Sequence, residues 1–128
     1  MWHFVQSKKR KIWICKAQDS PTGKLPGFQV GRRSITILIP FYKRLEPKFS
    51  PRFYTTDYYP VYEKVIPVQR HRQGKAYMLR VEQHNSNTRN WLARFRRRSK
   101  LITRNPAMIG LSLLALEVLK DSLCKLSI

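Results

Sequence analysis

At 128 residues the chain has the length of one domain, with a core that is adequate but not generous. Hydrophobic residues at 42% and aromatics at 12% exclude a chain that is disordered throughout. Twenty-six Lys and Arg against seven Asp and Glu give a formal charge of +19, so the natural partner is a polyanion. Nucleic acid fits because each neutralised phosphate releases counterions, although an anionic membrane surface or an RNA-rich assembly would satisfy the same electrostatics.

Cys15 and Cys124 are far apart and lack the paired spacing of a zinc site or a disulfide framework, which points to two reduced thiols. Lys8-Lys9-Arg10-Lys11 precedes any apolar run, so no secretory signal is expected. The longest apolar stretch, Met108 to Leu119, is shorter than the about 20 residues that a membrane span takes and carries Glu117. A soluble protein of the cytoplasm or nucleoid is the expectation.

Trp2 to Val5 reads as the tail of a strand that has barely begun, as though the chain were cut. Ser7 to Arg10 reads as a polar basic turn, and Ile12 to Cys15 as a second strand rich in aromatic and β-branched residues. Asp19-Ser20-Pro21-Thr22-Gly23 is turn chemistry, after which Gly27 to Val30 can form a third strand. Three strands with short connections predict an antiparallel meander.

Ser34 is an N-cap for a helix running from Ile35 to Leu45, with Pro40 expected to bend or shorten it. Phe49 to Thr56 follows Pro47 as a fourth strand ending at Asp57, and Pro60 to Ile66 as a short helix with Pro at its start. From Leu79 to Ser99 there is neither Pro nor Gly, and Val81, Thr88, Leu92 and Phe95 recur at helical spacing, which predicts one long amphipathic helix. After Asn105-Pro106, a mostly apolar helix follows to Leu123 through Ile109, Leu113, Leu116 and Leu119. Strands first and helices later imply a mixed α/β domain with one sheet.

Acidic residues are so scarce that the position of each is informative. Asp57 ends a predicted strand and Glu82 opens the long basic helix. A carboxylate facing a bound polyanion is repelled unless a divalent cation lies between them, the arrangement that two-metal nucleases use with Mg²⁺ or Mn²⁺. The plainer reading is that Asp57 caps a turn and Glu82 is a first-turn carboxylate favoured by the helix dipole. Glu82, Asn85, Arg89 and Arg96, at increments of three, seven and fourteen, lie along one polar stripe of a helix. Such a stripe can hold a metal at one end and phosphates along the rest, or be a solvated face.

Arg94, Arg96, Arg97, Arg98 and Lys100 form a basic cluster denser than helix capping needs, suited to phosphate-backbone contacts that add affinity and register but read no sequence. Lys8 to Lys11 with Arg32 and Arg33 form a second basic region, which extends the footprint only if it lies on one side of the sheet. His3, His71 and His84 have no zinc-site spacing, and His84, two residues from Glu82, faces away from it on a helix. No nucleophile elbow, phosphate-cradling glycine loop or dinucleotide fingerprint is present.

Over nearly its whole length the chain resembles the transposases of the bacterial insertion-sequence-one family. The residues that carry the resemblance are Trp2-His3-Phe4-Val5 with Lys8-Lys9-Arg10, the strand ending at Asp19, and Gly31-Arg32-Arg33-Ser34. The most specific are Thr56-Asp57-Tyr58-Tyr59-Pro60-Val61-Tyr62-Glu63 and the run from Val81 to Arg89, followed by Leu92-Ala93-Arg94 and Arg97-Arg98-Ser99. The resemblance implies an RNase H-like mixed sheet flanked by helices, with most of its first strand missing, and an Asp-Asp-Glu (DDE) site holding two Mg²⁺ or Mn²⁺ ions. Asp57 matches the second catalytic aspartate and Glu82 the glutamate, with 24 residues between them.

The family's first aspartate lies just before the residue matching Trp2, where this chain has Met1; Asp19 matches a different position. The family's zinc-binding and helix-turn-helix segments are absent too. The implied reading is therefore that residues 1–128 are one partial catalytic domain acting on double-stranded DNA, both transposon ends and target. Cleavage of a phosphodiester would be followed by attack of the freed 3′ hydroxyl on target DNA, within a homo-oligomeric synaptic complex and with no membrane partner. Asn85 and Arg89 would orient Glu82 and the scissile phosphate, and the arginines from Arg94 onward would hold the backbone. The chain alone is expected to be catalytically incomplete. The alternative is a non-enzymatic basic nucleic-acid-binding protein in which Asp57 and Glu82 are structural.

Overall fold

The computed structural model describes residues 1–96 and 103–126, the last four of them as backbone only. Strands β1 (Trp2–Val5), β2 (Ser7–Ala17) and β3 (Gly27–Gly31) form the predicted antiparallel meander in the order β1-β2-β3. The reversal between β1 and β2 is made by Gln6 alone, at φ 63°, and not by Ser7 to Arg10. The register steps from Phe4↔Lys11 to Val5↔Ser7, so Lys8, Lys9 and Arg10 are absorbed as a bulge at the start of β2. Their side chains are all exposed, and a strand with no buried face leaves no alternation to read. The turn at Asp19 is as expected: its carboxylate accepts from the Thr22 N–H at 3.3 Å and from the Thr22 hydroxyl, and Gly23 takes φ +70°.

Helix α1 (Ile35–Phe49) starts after Ser34, which adopts the extended N-cap backbone but makes no side-chain cap bond. Leu38, Phe41 and Leu45 form its buried face. Pro40 and Pro47 both lie on the exposed side, where a missing donor costs no buried hydrogen bond, so the helix runs four residues past Leu45. It therefore takes Phe49, and the following strand is shorter than predicted: β4 (Tyr54–Thr56). β4 pairs in parallel with β5 (His71–Gln73), a three-residue strand too short to show a period, so the described residues hold two sheets in place of one. Between them the expected helix over 60–66 is a single 3₁₀ turn, Tyr62–Lys64.

Helix α2 spans Leu79–Trp91 and stops well short of Ser99. Leu92 turns extended (φ −110°, ψ 107°), and a 3₁₀ turn at Ala93–Phe95 carries Phe95 into the core, edge-on to His3 at 5.3 Å between centroids. Tertiary burial of one large aromatic overrides a helical pattern that is locally unbroken. Helix α3 (Ala107–Leu126) begins where the Asn105 side chain accepts the Ala107 N–H at 3.0 Å. It buries Ile109, Leu113 and Leu116, and leaves Leu111, Leu114, Val118 and Leu119 more than half exposed.

Two apolar clusters sit on opposite faces of the three-stranded sheet. Ile14 joins Val5, Phe95, Ile109 and Leu113 under α3, while its neighbour Cys15, with Ala17, packs against Leu38, Phe41 and Leu45 of α1. Successive residues of β2 thus face different helices, giving a sheet flanked by helices on both sides, in keeping with an RNase H-like domain. No helix among the described residues is long and apolar enough to cross a membrane.

Candidate metal and nucleic-acid site

Asp57 follows the last residue of β4, as predicted, and its carboxylate is held from two sides. Oδ2 accepts from the Arg33 guanidinium at 2.8 Å, and Oδ1 from the Tyr59 backbone N–H at 3.1 Å. Arg33 sits between β3 and α1, is stacked 3.9 Å over the Tyr59 ring and 5.1 Å from that of Trp13, and its carbonyl accepts the Tyr59 hydroxyl at 2.7 Å. The Asp57 side chain nonetheless stays 44% exposed, so it remains open to a ligand.

Glu82 lies in the first turn of α2 with its side chain exposed. Of the seven carboxylates, Asp19, Glu46, Asp57, Glu63, Glu117 and Asp121 each pair with a neighbour; Glu82 alone pairs with none of the described residues. Asp57 and Glu82 share no hydrogen-bond partner among those residues.

The rotation of α2 is set by a buried polar network on its other face. Lys16, from β2, approaches His84 Nδ1 at 3.2 Å and donates to Thr88 Oγ1 at 3.1 Å. Nε2 of His84 lies 3.1 Å from Glu117, which also accepts from Lys120 at 3.0 Å. An amine near Nδ1 and the Glu117 carboxylate on Nε2, which Lys120 also approaches at 3.3 Å, favour the neutral tautomer that carries its proton on Nε2. Burial, then Lys16 and Lys120, hold the imidazole below its ordinary pKa, and burial pushes the Lys16 amine down to about 7. His84 is therefore a packing residue that faces away from Glu82, as its spacing predicts.

Asn85 and Arg89 are half-buried on the Glu82 side of α2, and the Asn85 Oδ1 is buried with no hydrogen-bond partner among the described residues. Arg96 does not continue this stripe, because α2 ends at Trp91; Arg96 donates instead to the Asn90 carbonyl at 3.1 Å. Arg94 is half-buried and donates to Thr103 Oγ1 at 3.3 Å. Arg97, Arg98 and Lys100 lie outside the described residues.

The residue before β1 feels charges from both segments. The Met1 amine donates to the Ile14 carbonyl at 3.1 Å, and burial followed by the charges of Lys16, Arg89 and Arg33 lowers its pKa to about 6. The Cys15 thiol, raised by burial, feels the Met1 amine, Arg33 and Asp57. Position 1 thus lies within electrostatic range of Arg33, which holds Asp57, and of Arg89, one face of α2 with Glu82. Arg33 is the residue that sequence reasoning missed: it belonged to a motif there, but nothing in a 24-residue separation announces an ion pair with Asp57.

The donor chemistry suits a hard divalent cation: carboxylate oxygens with lone pairs to spare on Asp57, an unpaired carboxylate on Glu82 and an orphaned amide oxygen on Asn85. The set is incomplete, since the described residues contain no group of three or more His, Cys, Asp or Glu able to hold a metal.

Residues 1–109 match a family model described as IS1 transposase. The chain is 34% identical over 98 residues to "Insertion element IS1 protein InsB" of Shigella sonnei, covering 77% of this chain and 74% of that protein. The same identity relates it to "Insertion element IS1 9 protein InsB" of Escherichia coli and to "Insertion element IS1 protein InsB" of Haemophilus ducreyi, of which it spans 58%. No solved structure matches.

Proposed function

Because the chain belongs to the IS1 transposase family, we propose that residues 1–128 form a partial catalytic domain for DNA transposition, binding double-stranded DNA and supplying Asp57 and Glu82 to a two-Mg²⁺ site. The observation that supports this reading is Asp57 at the end of β4, clasped by Arg33 at 2.8 Å and yet 44% exposed; the charges of Arg33 and of Arg89, which shares a face of α2 with Glu82, both act on the Met1 amine. By the resemblance above, the family's first aspartate belongs at that position.

Divalent ions bound there would offset the charge that builds on the attacking and leaving oxygens of a phosphodiester. Arg33 and the Tyr59 N–H hold Asp57 in one rotamer, so little side-chain entropy is lost when it becomes a ligand. Arg89, one turn from the Asn85 amide, would take a phosphate oxygen, for which its planar guanidinium offers two donors. Arg94 and Arg96 would hold the phosphate backbone, as would Arg97, Arg98 and Lys100, which lie outside the described residues. With two carboxylates where three are needed, we expect the chain alone to lack strand transfer, in or out of a synaptic oligomer.

The Arg33–Asp57 pair also favours a second reading, a non-enzymatic nucleic-acid-binding protein in which Asp57 is structural. Titrating Mn²⁺ into the wild-type chain, Asp57→Asn and Glu82→Gln while following thermal unfolding separates the two. A metal-dependent rise in Tm that both substitutions abolish supports the site. A wild-type Tm indifferent to Mn²⁺ sinks it and leaves the second reading.

A further inference from the structure

Residues 1–18 contain no Asp or Glu, and neither do residues 83–116. The fold joins these two carboxylate-free stretches at the Gln6 turn. Gln6 donates its N–H to the Thr103 carbonyl at 2.7 Å, Val5 and Thr103 form a parallel bridge, and His3 Nε2 lies 3.0 Å from Thr103 Oγ1, the atom Arg94 also reaches. Thr103 is 1% exposed, so this is a packed junction.

Around it stand Lys8, Lys9, Arg10 and Lys11 on one side and Arg94, Arg96 and Arg104 on the other. All but the half-buried Arg94 are exposed. The bulge leaves Lys8 to Arg10 with no opposite residue on β1. Arg10 is braced by Gln6 Oε1 at 2.6 Å, and the Lys11 amine lies 4.8 Å over the Trp2 ring, so both cations are presented from ordered positions. The Arg94 charge reaches His3, whose pKa burial and then Arg94 lower, and no carboxylate of either stretch offsets it.

We propose that the Lys8–Lys11 bulge together with Arg94, Arg96 and Arg104 forms a docking face for the phosphate backbone of duplex DNA, distinct from the Asp57 end of β4. The inference rests on the DNA-binding reading above and adds where the duplex lies. β1 covers the four residues after Met1, so this face is about 13 Å along the strand from Met1, at roughly 3.3 Å per residue. That is about four phosphate steps of one DNA strand, at roughly 3.4 Å each. One duplex following β1 can therefore touch both ends of the sheet. Contacts of this kind bind without reading sequence.

The test is binding of the full 128-residue chain to two unrelated 30-base-pair duplexes over a range of salt. Replacing Lys8, Lys9 and Arg10 together by Ala is expected to weaken binding to both duplexes tenfold or more. It should also lower the slope of log K against log salt by about 2–3, at roughly 0.9 per phosphate contact. A triple replacement of Lys43, Lys48 and Lys64 by Ala removes the same charge elsewhere and is expected to change the affinity much less. Independently of any variant, bound duplex should protect Lys8, Lys9 and Lys11 from acetylation but not Lys43 or Lys48. Wild-type binding that the first triple leaves intact, or that both triples weaken equally, overturns the docking face while the proposed function stands. No binding to either duplex overturns both. Tighter binding to RNA of the same length, or to anionic vesicles, shows the partner to be wrong.

Discussion

Arg33 holds Asp57 and Tyr59 at once, its guanidinium 2.8 Å from the Asp57 carboxylate and 3.9 Å over the Tyr59 ring. The pair joins the loop after β3 to the end of β4, two segments in different sheets. Arg33→Ala should cost about 1–2 kcal/mol, combining a partly exposed ion pair and a cation–π contact. Arg33→Lys should recover only part, because an ammonium cannot both stack and fork. Urea unfolding of the three proteins reads the difference; equal stabilities would show that Arg33 does not brace the site.

Position 1 offers a gain-of-function measurement. On the proposed two-metal reading, a chain with Asp in place of Met1, released from a cleavable fusion, should bind Mn²⁺ more tightly than the wild type, since a third carboxylate would join Asp57 and Glu82 near the charges of Lys16, Arg89 and Arg33. Mn²⁺ titration by calorimetry is expected to show the gain, and Glu82→Gln in the same background to reverse it. An unchanged titration would place the third ligand elsewhere.

Lys16 predicts an uncommon pH dependence. Its folded pKa of about 7 lies below the unfolded value of 10.5, so between those values the unfolded chain binds more protons and stability rises with pH. The Met1 amine, at about 6 against 8.0, acts in the same sense over pH 6–8. Tyr62, raised to about 12 from 10.0, acts oppositely, but only above pH 10. Tm should therefore climb from pH 6.5 to 9.5, and Lys16→Met should flatten that climb. A wild-type Tm that falls over this range contradicts the buried-amine account.

Phe95 is 2% exposed and links β1, β2 and α3. Phe95→Ala should cost about 3–5 kcal/mol, against about 0.5 kcal/mol or less for Trp91→Ala, whose side chain is 58% exposed. Chemical denaturation of both variants checks the contrast, and similar losses would place Phe95 outside the core.

Local patterns carried much of the architecture. The meander, the Asp19 turn, the Ser34 start of α1 and the apolar face of α3 each follow from residues within a few positions of one another, where propensity and period act directly. The misjudged boundaries share one cause. β5 is three residues paired with a strand 15 or more positions away, α1 runs through two prolines because both face solvent, and α2 stops early because Phe95 is needed in a core built from distant segments.

The functional residues divide in the same way. Sequence alone determined that Asp57 ends a strand, that Glu82 opens a helix with Asn85 and Arg89 beside it, and that positive charge dominates, because these depend on residue type and spacing. Only the tertiary structure decided that Arg33 clasps Asp57, that Lys16, His84 and Glu117 set the rotation of α2, and that the Lys8–Lys11 bulge meets Arg94 and Arg104 around Thr103. Apart from Arg94 to Thr103, nine residues apart, those contacts join groups 24 to about 100 residues apart. Their free energy appears only once the chain has paid the entropy of bringing them together, and no local pattern records it.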